Sequence, residues 1–278
     1  MDNVSDGIEA ITDEEFTRFR NFIYEHAGIS MAPQKRHLVA ARLHKRLRHY
    51  GFRRYGDYYR FVASPEGQAE RQTLVDQLTT NETYFFREPA HFDYLRDTVL
   101  PRYRGRSLRV WSAACSTGEE VYTLAMVLAE ALGQGDWEVH GTDINHSVVE
   151  AARVGLYPME RARDIPPAYL KKYCLKGVRG QAGQLLVDAK LKQRVRFSTL
   201  NLKVPLREKT VYQVIFLRNV LIYFDVPTKR EVVTRVTDLL EPGGMLFVSH
   251  VESLHGVVDH LEMVRPSVFR KPHGRKTA

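Results

Sequence analysis

The chain carries only two cysteines, Cys115 and Cys174, among 278 residues. That is too few for a disulfide framework or a structural zinc site, and no metal is expected. Long apolar runs are also missing. The longest, such as Val211–Leu217, fall far short of the roughly 20 residues that a membrane helix requires. Met1–Thr12 is acidic and polar, without the charged start and apolar stretch of a secretory signal. A cytoplasmic location without membrane insertion is the expectation. No G-x-G-x-x-G fingerprint and no P-loop occur, which disfavours dinucleotides and nucleoside triphosphates. Internal repeats and low-complexity tracts are absent, and no strand pattern appears in residues 13 to 76.

What is present suffices for one large domain and a small one, with 44% hydrophobic residues to build their cores. The net charge of +8 favours an anionic partner: nucleic acid, a membrane surface or an acidic protein. Basic residues crowd Lys35–Arg54 and the tail Arg270–Lys276, and Pro272 and Gly274 mark that tail as a solvated end.

Residues 1–76 read as a helical domain. Thr12 and Glu15 are spaced as a capping box, Phe16, Phe19 and Ile23 follow at helical intervals, and Gly28 is the stop. A second helix, from about Gln34 to Tyr50, buries Val39, Leu43, Leu47 and Tyr50. Lys35, Arg42, Arg46 and His49 fall on a neighbouring stripe, with Arg48 beside it. Further helices are expected over Tyr55–Ala63 and Gln68–Leu78.

Residues 77–92 read as a linker. Beyond it, strands alternate with helices, which indicates an α/β domain over 93–278 with a parallel, Rossmann-like sheet. A helix over Ala90–Tyr103 precedes it. Expected strands are Leu108–Ala113, Trp137–Thr142, Val195–Thr199, Val211–Leu217 and Met245–His250. Glu241-Pro242-Gly243-Gly244 reads as a turn feeding the last of these, and a hairpin around Leu261–Arg270 closes the sheet. Residues 158–194 exceed what a crossover needs and are expected to form an inserted antiparallel β-subdomain.

Open α/β sheets bind ligands beyond the carboxyl ends of their strands. Ser112–Gly118, Asp143, Asn201 and Arg218-Asn219 stand at four such ends. The helix after the first strand begins Glu119-Glu120, which would repel a phosphate but suits an amine or sulfonium. Asp143 is placed to accept from ribose hydroxyls. These residues point to an adenosine ligand without phosphates, such as S-adenosylmethionine.

Three segments carry a family resemblance. Thr79–Glu88, Val110–Glu120 and Phe216–Phe224 resemble, in order, the signature segments of the chemotaxis receptor methyltransferases, the CheR family. The resemblance spans nearly the whole chain. It implies a class I methyltransferase fold and methyl transfer from S-adenosylmethionine to receptor glutamates, giving glutamyl methyl esters and S-adenosylhomocysteine. It further implies that Asn81, Thr83 and Arg87 close over the cofactor, that Glu119 lies near its methionine portion and Asp143 near its ribose. Asn201 and Leu202 would flank the adenine, with Arg218 and Asn219 at the fourth strand and Tyr223 beside the reaction centre. Arg87 and Tyr223 are the candidate catalytic residues. Cys115 replaces a common alanine and Val121 a common proline, neither at a position whose side chain is needed.

A glutamate side chain, with a pKa of about 4.3, is already ionised at neutral pH. No general base is then required, which matches a candidate site without a histidine–acid arrangement. Arg87 is expected to orient the incoming carboxylate. Lys35, Arg42, Arg46 and Arg48 are expected to dock acidic receptor helices, and the β-insert resembles one that captures a receptor C-terminal peptide in some relatives. Two other readings stay open. A nucleic-acid methyltransferase would use the positive charge, although Arg218-Asn219-Val220-Leu221 stands where base-methylating enzymes carry an Asn/Asp-Pro-Pro-aromatic motif. A non-catalytic module that binds the cofactor would need the same pocket.

Overall fold

The computed structural model describes residues 7–207 and 209–273. The last five residues of the basic tail and the first six of the acidic N-terminus lie outside them. The chain divides into two compact units, Met1–Thr80 with Tyr223–Asp225, and Asn81–Ile222 with Val226–Ala278.

The first unit holds α1 (Asp13–Ala27), α2 (Arg36–Tyr50), α3 (Tyr55–Ala63) and α4 (Glu70–Leu78). The capping box forms: Glu15 N donates to Thr12 Oγ1 and Thr12 N to the Glu15 carboxylate. Gly28 ends α1 in the left-handed region, with φ of 74°, where a glycine has no Cβ to clash. Phe19, Leu43, Leu47, Tyr58 and Leu74 make the core. Ser30 N donates to Tyr223 O, so the 223–225 segment groups with this unit.

Two expected docking arginines are committed to this fold. Arg46 forms a fork with Glu70, Nε and Nη2 each 2.7 Å from a carboxylate oxygen. Tyr58 and Tyr50 hydroxyls also donate to Glu70. Arg42 donates to the carbonyls of Leu78 and Thr79 and to Thr80 Oγ1, satisfying the orphan carbonyls that end α4. A docking role for Arg42 and Arg46 therefore needs correction: both tie α2 to α4 and the residues after it. Lys35 and Arg48 are exposed.

The second unit begins with α5 (Pro89–Tyr94). The single helix expected over 90–103 is broken into α5, a π turn over Leu95–Val99 and a 3-10 turn over Leu100–Tyr103. Pro101, lacking an N–H, cannot continue a regular helix. The chain then alternates: β1 (Leu108–Ser112), α6 (Glu119–Leu132), β2 (Trp137–Asp143), α7 (His146–Val154), β3 (Leu156–Pro158), α8 (Pro167–Tyr173), β4 (Cys174–Lys176), β5 (Gln184–Val187), α9 (Ala189–Lys192), β6 (Val195–Thr199), β7 (Tyr212–Phe216), α10 (Val226–Asp238), β8 (Leu240–Phe247), β9 (Glu262–Arg265) and β10 (Val268–Arg270).

The main sheet has the order β6-β2-β1-β7-β8-β10-β9. Strands β6, β2, β1, β7 and β8 run parallel, and the β9–β10 hairpin closes the edge antiparallel. The order reverses between β1 and β7, so a crevice is expected at their carboxyl ends. The sheet's apolar face is buried under α6, whose Val121, Leu124, Ala125 and Leu128 are all inaccessible. The insert forms its own antiparallel sheet, β3-β5-β4, starting at Leu156.

Glu241–Gly244 is not a turn before the strand but its bulged opening. Tyr212 pairs with Leu240 and Val214 with Met245, so extra residues are accommodated there. Gly243 N donates to Lys271 O and Lys271 N to Gly244 O, which joins the glycine pair to the edge of the sheet.

Candidate functional site

Strand β1 ends at Ser112, and the loop to α6 turns on Ser116 and Gly118, with φ of 48° and 94°. A Cβ at Gly118 would stand 2.8 Å from Ala152 Cβ, so the turn needs glycine for space as well as for φ. The turn delivers Glu119 to the first position of α6. Its side chain is fully buried, and its oxygens accept from Thr117 Oγ1 at 2.6 Å and Arg161 Nη1 at 2.5 Å. Arg161 is half-exposed and also donates to Thr83 O. It follows β3, in the insert, and sequence reasoning missed it: nothing in one sequence brings residue 161 to residue 119.

At the end of β2, Asp143 is held by two backbone donors, Ser116 N on Oδ2 and Asn145 N on Oδ1, each at 2.9 Å. Its carboxylate is thereby locked in orientation beside the β1–α6 loop. Asn81 O accepts from Ser116 Oγ at 2.7 Å, which brings the linker to the same loop. Beyond β6, Asn201 Oδ1 accepts from Lys203 N, and Leu202 is buried. Cys115 sits under the loop with its thiol pushed well up by burial and the nearby Asp143 carboxylate, so it is inert.

Arg218, at the end of β7, is enclosed by its neighbours. Its side chain is only 1% exposed and lies over the rings of Phe92 and Phe216. Nη1 is 2.8 Å from Glu120 Oε2, and Nη2 donates to Arg87 O at 2.6 Å. Arg218, expected among the cofactor-binding residues, thus holds the backbone of Arg87. Burial raises the Glu120 carboxyl above its usual range, against the pull of Arg218 and Ser112. Arg87 itself is half-buried, donates to Glu82 O at 3.0 Å and lies over the Tyr84 ring. It does not pair with Glu88, which instead accepts from Ser249 Oγ and His250 N.

Asn219 has a φ of 59°, and its N–H donates to Glu252 Oε2 while its side-chain amide donates to Ser249 Oγ. Glu252 also accepts from Ser249, Leu221 and Ile222 N–H groups. This buried carboxylate shapes the loop after β7, and it too was missed. Phe86, Glu88, Ser116 and Asn219, four of the six non-glycine residues at positive φ among those described, lie in the segments expected to form the site. Such conformations persist only where surrounding contacts hold them, and they gather at functional loops.

Comparisons with known proteins give the family of the chain. Residues 81–269 match the family described as CheR methyltransferase, SAM binding domain. Residues 14–79 match its companion, CheR methyltransferase, all-alpha domain. The chain belongs to the CheR methyltransferase family. The chemotaxis protein methyltransferase of Escherichia coli (strain K12) is 41% identical over 91% of this chain and 87% of its own. That of Borreliella burgdorferi is 35% identical over 94% of this chain and 95% of its own. Among solved structures, an O-methyltransferase family protein from Burkholderia thailandensis is 19% identical, covering 69% of this chain and 43% of that one, with a TM-score of 0.37. No helix among the described residues is long and apolar enough to cross a membrane.

Proposed function

We propose that this CheR-family enzyme transfers a methyl group from S-adenosylmethionine to glutamate carboxylates of chemoreceptors. The observation that carries the reading is Glu119: a fully buried acid at a helix start, with Arg161 as its charged partner. A buried carboxylate is costly unless cations meet it. Phosphate would be repelled here, whereas the zwitterionic end of an amino acid fits, its ammonium toward Glu119 and its carboxylate toward Arg161. Asp143, fixed by Ser116 and Asn145 N–H groups, suits ribose hydroxyls. Asn201 and Leu202 flank the adenine. Asn81 and Thr83 bring the linker to the pocket, and Asn219 completes the wall. These side chains fit the cofactor, which supplies a methyl carbon on a good leaving group.

The substrate carboxylate is ionised at neutral pH and needs no base. What the protein supplies is alignment and exclusion of water, and alignment alone accounts for about 7–11 kcal/mol in favourable systems. Arg87, its backbone held by Arg218, orients the incoming carboxylate through its planar fork. The Tyr223 hydroxyl assists by a hydrogen bond. Bound there, the cofactor would offer its methyl carbon to the carboxylate oxygen that Arg87 orients, the electron pair of the broken carbon–sulfur bond going to sulfur.

Lys35 and Arg48 remain the exposed members of the basic face that steers acidic receptor helices, while Arg42 and Arg46 serve the fold. The β4 edge of the insert, with Leu175 and Val178 exposed, is the place for a receptor C-terminal peptide to add a strand. No nucleic acid is part of this reading. The test is incubation with methyl-labelled cofactor and receptor, followed by alkaline release of volatile methanol. Esters yield methanol; its absence, with cofactor bound, would leave a binding module instead.

A further inference from the structure

Away from Glu119 and Asp143, three donors converge where α5, the end of β8 and the β9–β10 turn meet. Glu88 Oε2 lies 3.5 Å from His91 Nδ1 and 3.6 Å from His250 Nε2. All three atoms lie within 4.8 Å of one another. His91 is 2% exposed, and its Nδ1 has no hydrogen-bond partner. A buried, unpartnered nitrogen is costly, and native proteins rarely leave one without a reason.

The remaining ring nitrogens explain which way the protons point. His91 Nε2 is 2.7 Å from Ser267 Oγ, and His250 Nδ1 is 3.0 Å from the same oxygen. Ser267 donates its own hydrogen to Pro266 O. With that hydrogen committed, both rings donate to Ser267, as assigned from the hydrogen-bond pattern. Both inward nitrogens then present lone pairs to a carboxylate oxygen. Three acceptors facing one another repel unless a cation lies between them. Glu88 and Ser267 are both held at positive φ, 58° and 62°, to make this arrangement.

We propose that Glu88, His91 and His250 form a divalent transition-metal site, with zinc as the fitting ion. Zinc bonds of about 2.0–2.1 Å in a tetrahedron place neighbouring donors about 3.3 Å apart, close to the separations from Glu88. The shared hydroxyl of Ser267 is the outer partner that fixes both ring tautomers, as ligating histidines require. His250 is half-exposed, which gives the ion a path in and leaves a coordination position for water. The site clips the start of α5 to the carboxyl end of β8. Two cations face it: Arg218 Nη2, 3.5 Å from Glu88 Oε2, and Arg265, which acts on His91 through space. They weaken binding, so affinity falls below that of closed structural zinc sites.

The test titrates Zn2+ alone into the full chain, free of any histidine tag, at pH 7.5 by calorimetry. One ion per chain is expected, with at least a tenfold weaker affinity in His250→Ala and in Glu88→Gln. His255→Ala, exposed elsewhere, leaves the affinity unchanged. Co2+ in place of Zn2+ gives visible absorption bands that vanish in His250→Ala. Because His250 is half-exposed, that variant keeps its fold, which circular dichroism checks. Failure of Zn2+ to bind at about 1 mM, or stoichiometric binding unaltered by His250→Ala, would overturn the site. Neither result bears on cofactor binding at Glu119.

Discussion

Replacing Glu119 by glutamine keeps the shape of the side chain and removes its charge. Thr117 Oγ1 and Arg161 Nη1 bond to different oxygens of the carboxylate, so the amide keeps an oxygen for only one of them. If the acid receives an ammonium group, the variant exchanges a charge-assisted hydrogen bond for a neutral one. A hydrogen bond to a charged group is worth about 1.5–3 kcal/mol against about 0.5–1.5 for a neutral one, a difference of about 1–1.5 kcal/mol, so cofactor affinity should fall by about five- to thirteenfold. Arg161→Met should cost less, roughly two- to fivefold, because Arg161 is half-exposed and solvent screens it. The two changes together should cost less than their product, since each residue also orients the other. Calorimetry with S-adenosylmethionine and with S-adenosylhomocysteine measures all four corners of the cycle. Thermal melts should show Arg161→Met destabilised, because it leaves the buried Glu119 carboxylate without its cation, and Glu119→Gln less so, because it removes the buried charge itself. An affinity unchanged within twofold in Glu119→Gln would refute the ammonium assignment. Tighter binding in Arg161→Met would show that Arg161 competes for Glu119 instead of meeting the carboxylate of the ligand.

Arg87→Lys should lower turnover far more than cofactor affinity, read from single-turnover methyl transfer beside calorimetry; unchanged turnover would end its orienting role. Arg218→Met strands Glu120 without its cation and should destabilise the second unit by about 3–5 kcal/mol at pH 8. The Glu120 carboxyl is already raised, so its contribution favours folding at low pH and is lost as pH rises through the folded value; denaturant melts should find the defect smaller at pH 5. For Glu70, burial raises the carboxyl, but the Arg46 fork and the Tyr58 and Tyr50 hydroxyls outweigh it and leave it lowered. That stability is present above the unfolded value near 4.3 and lost as pH falls through the folded one, so acid should unfold the helical unit, and Glu70→Gln should remove about 3 kcal/mol at pH 7. Lys35→Ala with Arg48→Ala should raise the Michaelis constant for receptor a few-fold at low salt, with the difference closing at high salt, and leave that for cofactor alone.

The parts legible in the sequence are those whose cause is local. Thr12, Glu15 and Gly28 bound α1 because a capping box and a left-handed stop act within a few residues. Trp137–Thr142 reads as a strand from its place between two helical segments, and Asp143 stands at its carboxyl end. Gly118 and the paired glutamates that follow mark a tight turn into a helix. Where local patterns competed, position along the chain misled. Gly243 and Gly244 have turn composition, yet pairing with Lys271 draws them into β8 as a bulge. A continuous helical pattern over 90–103 concealed the break that Pro101 imposes.

What stayed hidden depends on contacts across long stretches of chain. Arg42 and Arg46 sit on a basic stripe that reads as a solvated or docking face, because Glu70 and the end of α4 lie 24 or more residues away. Arg161 reaches Glu119 only once the insert has folded. Arg218 carries the same lesson in reverse. It stands at the correct strand end for a ligand, but Phe92, Phe216, Glu120 and Arg87 O enclose it. Charge at a strand end therefore has two outcomes, to meet the ligand or to hold the residue that does. Burial of the side chain decides between them, and burial is a property of the packed core. The division of labour follows from the chemistry. On the proposed reading the nucleophile is a carboxylate that needs no proton removed, and the costly buried charges, Glu119, Glu120 and Arg218, then serve placement. Each is bound to a loop or backbone group that moves if the charge is lost, and perturbing any one should therefore shift binding or orientation before it alters the pH dependence of methyl transfer.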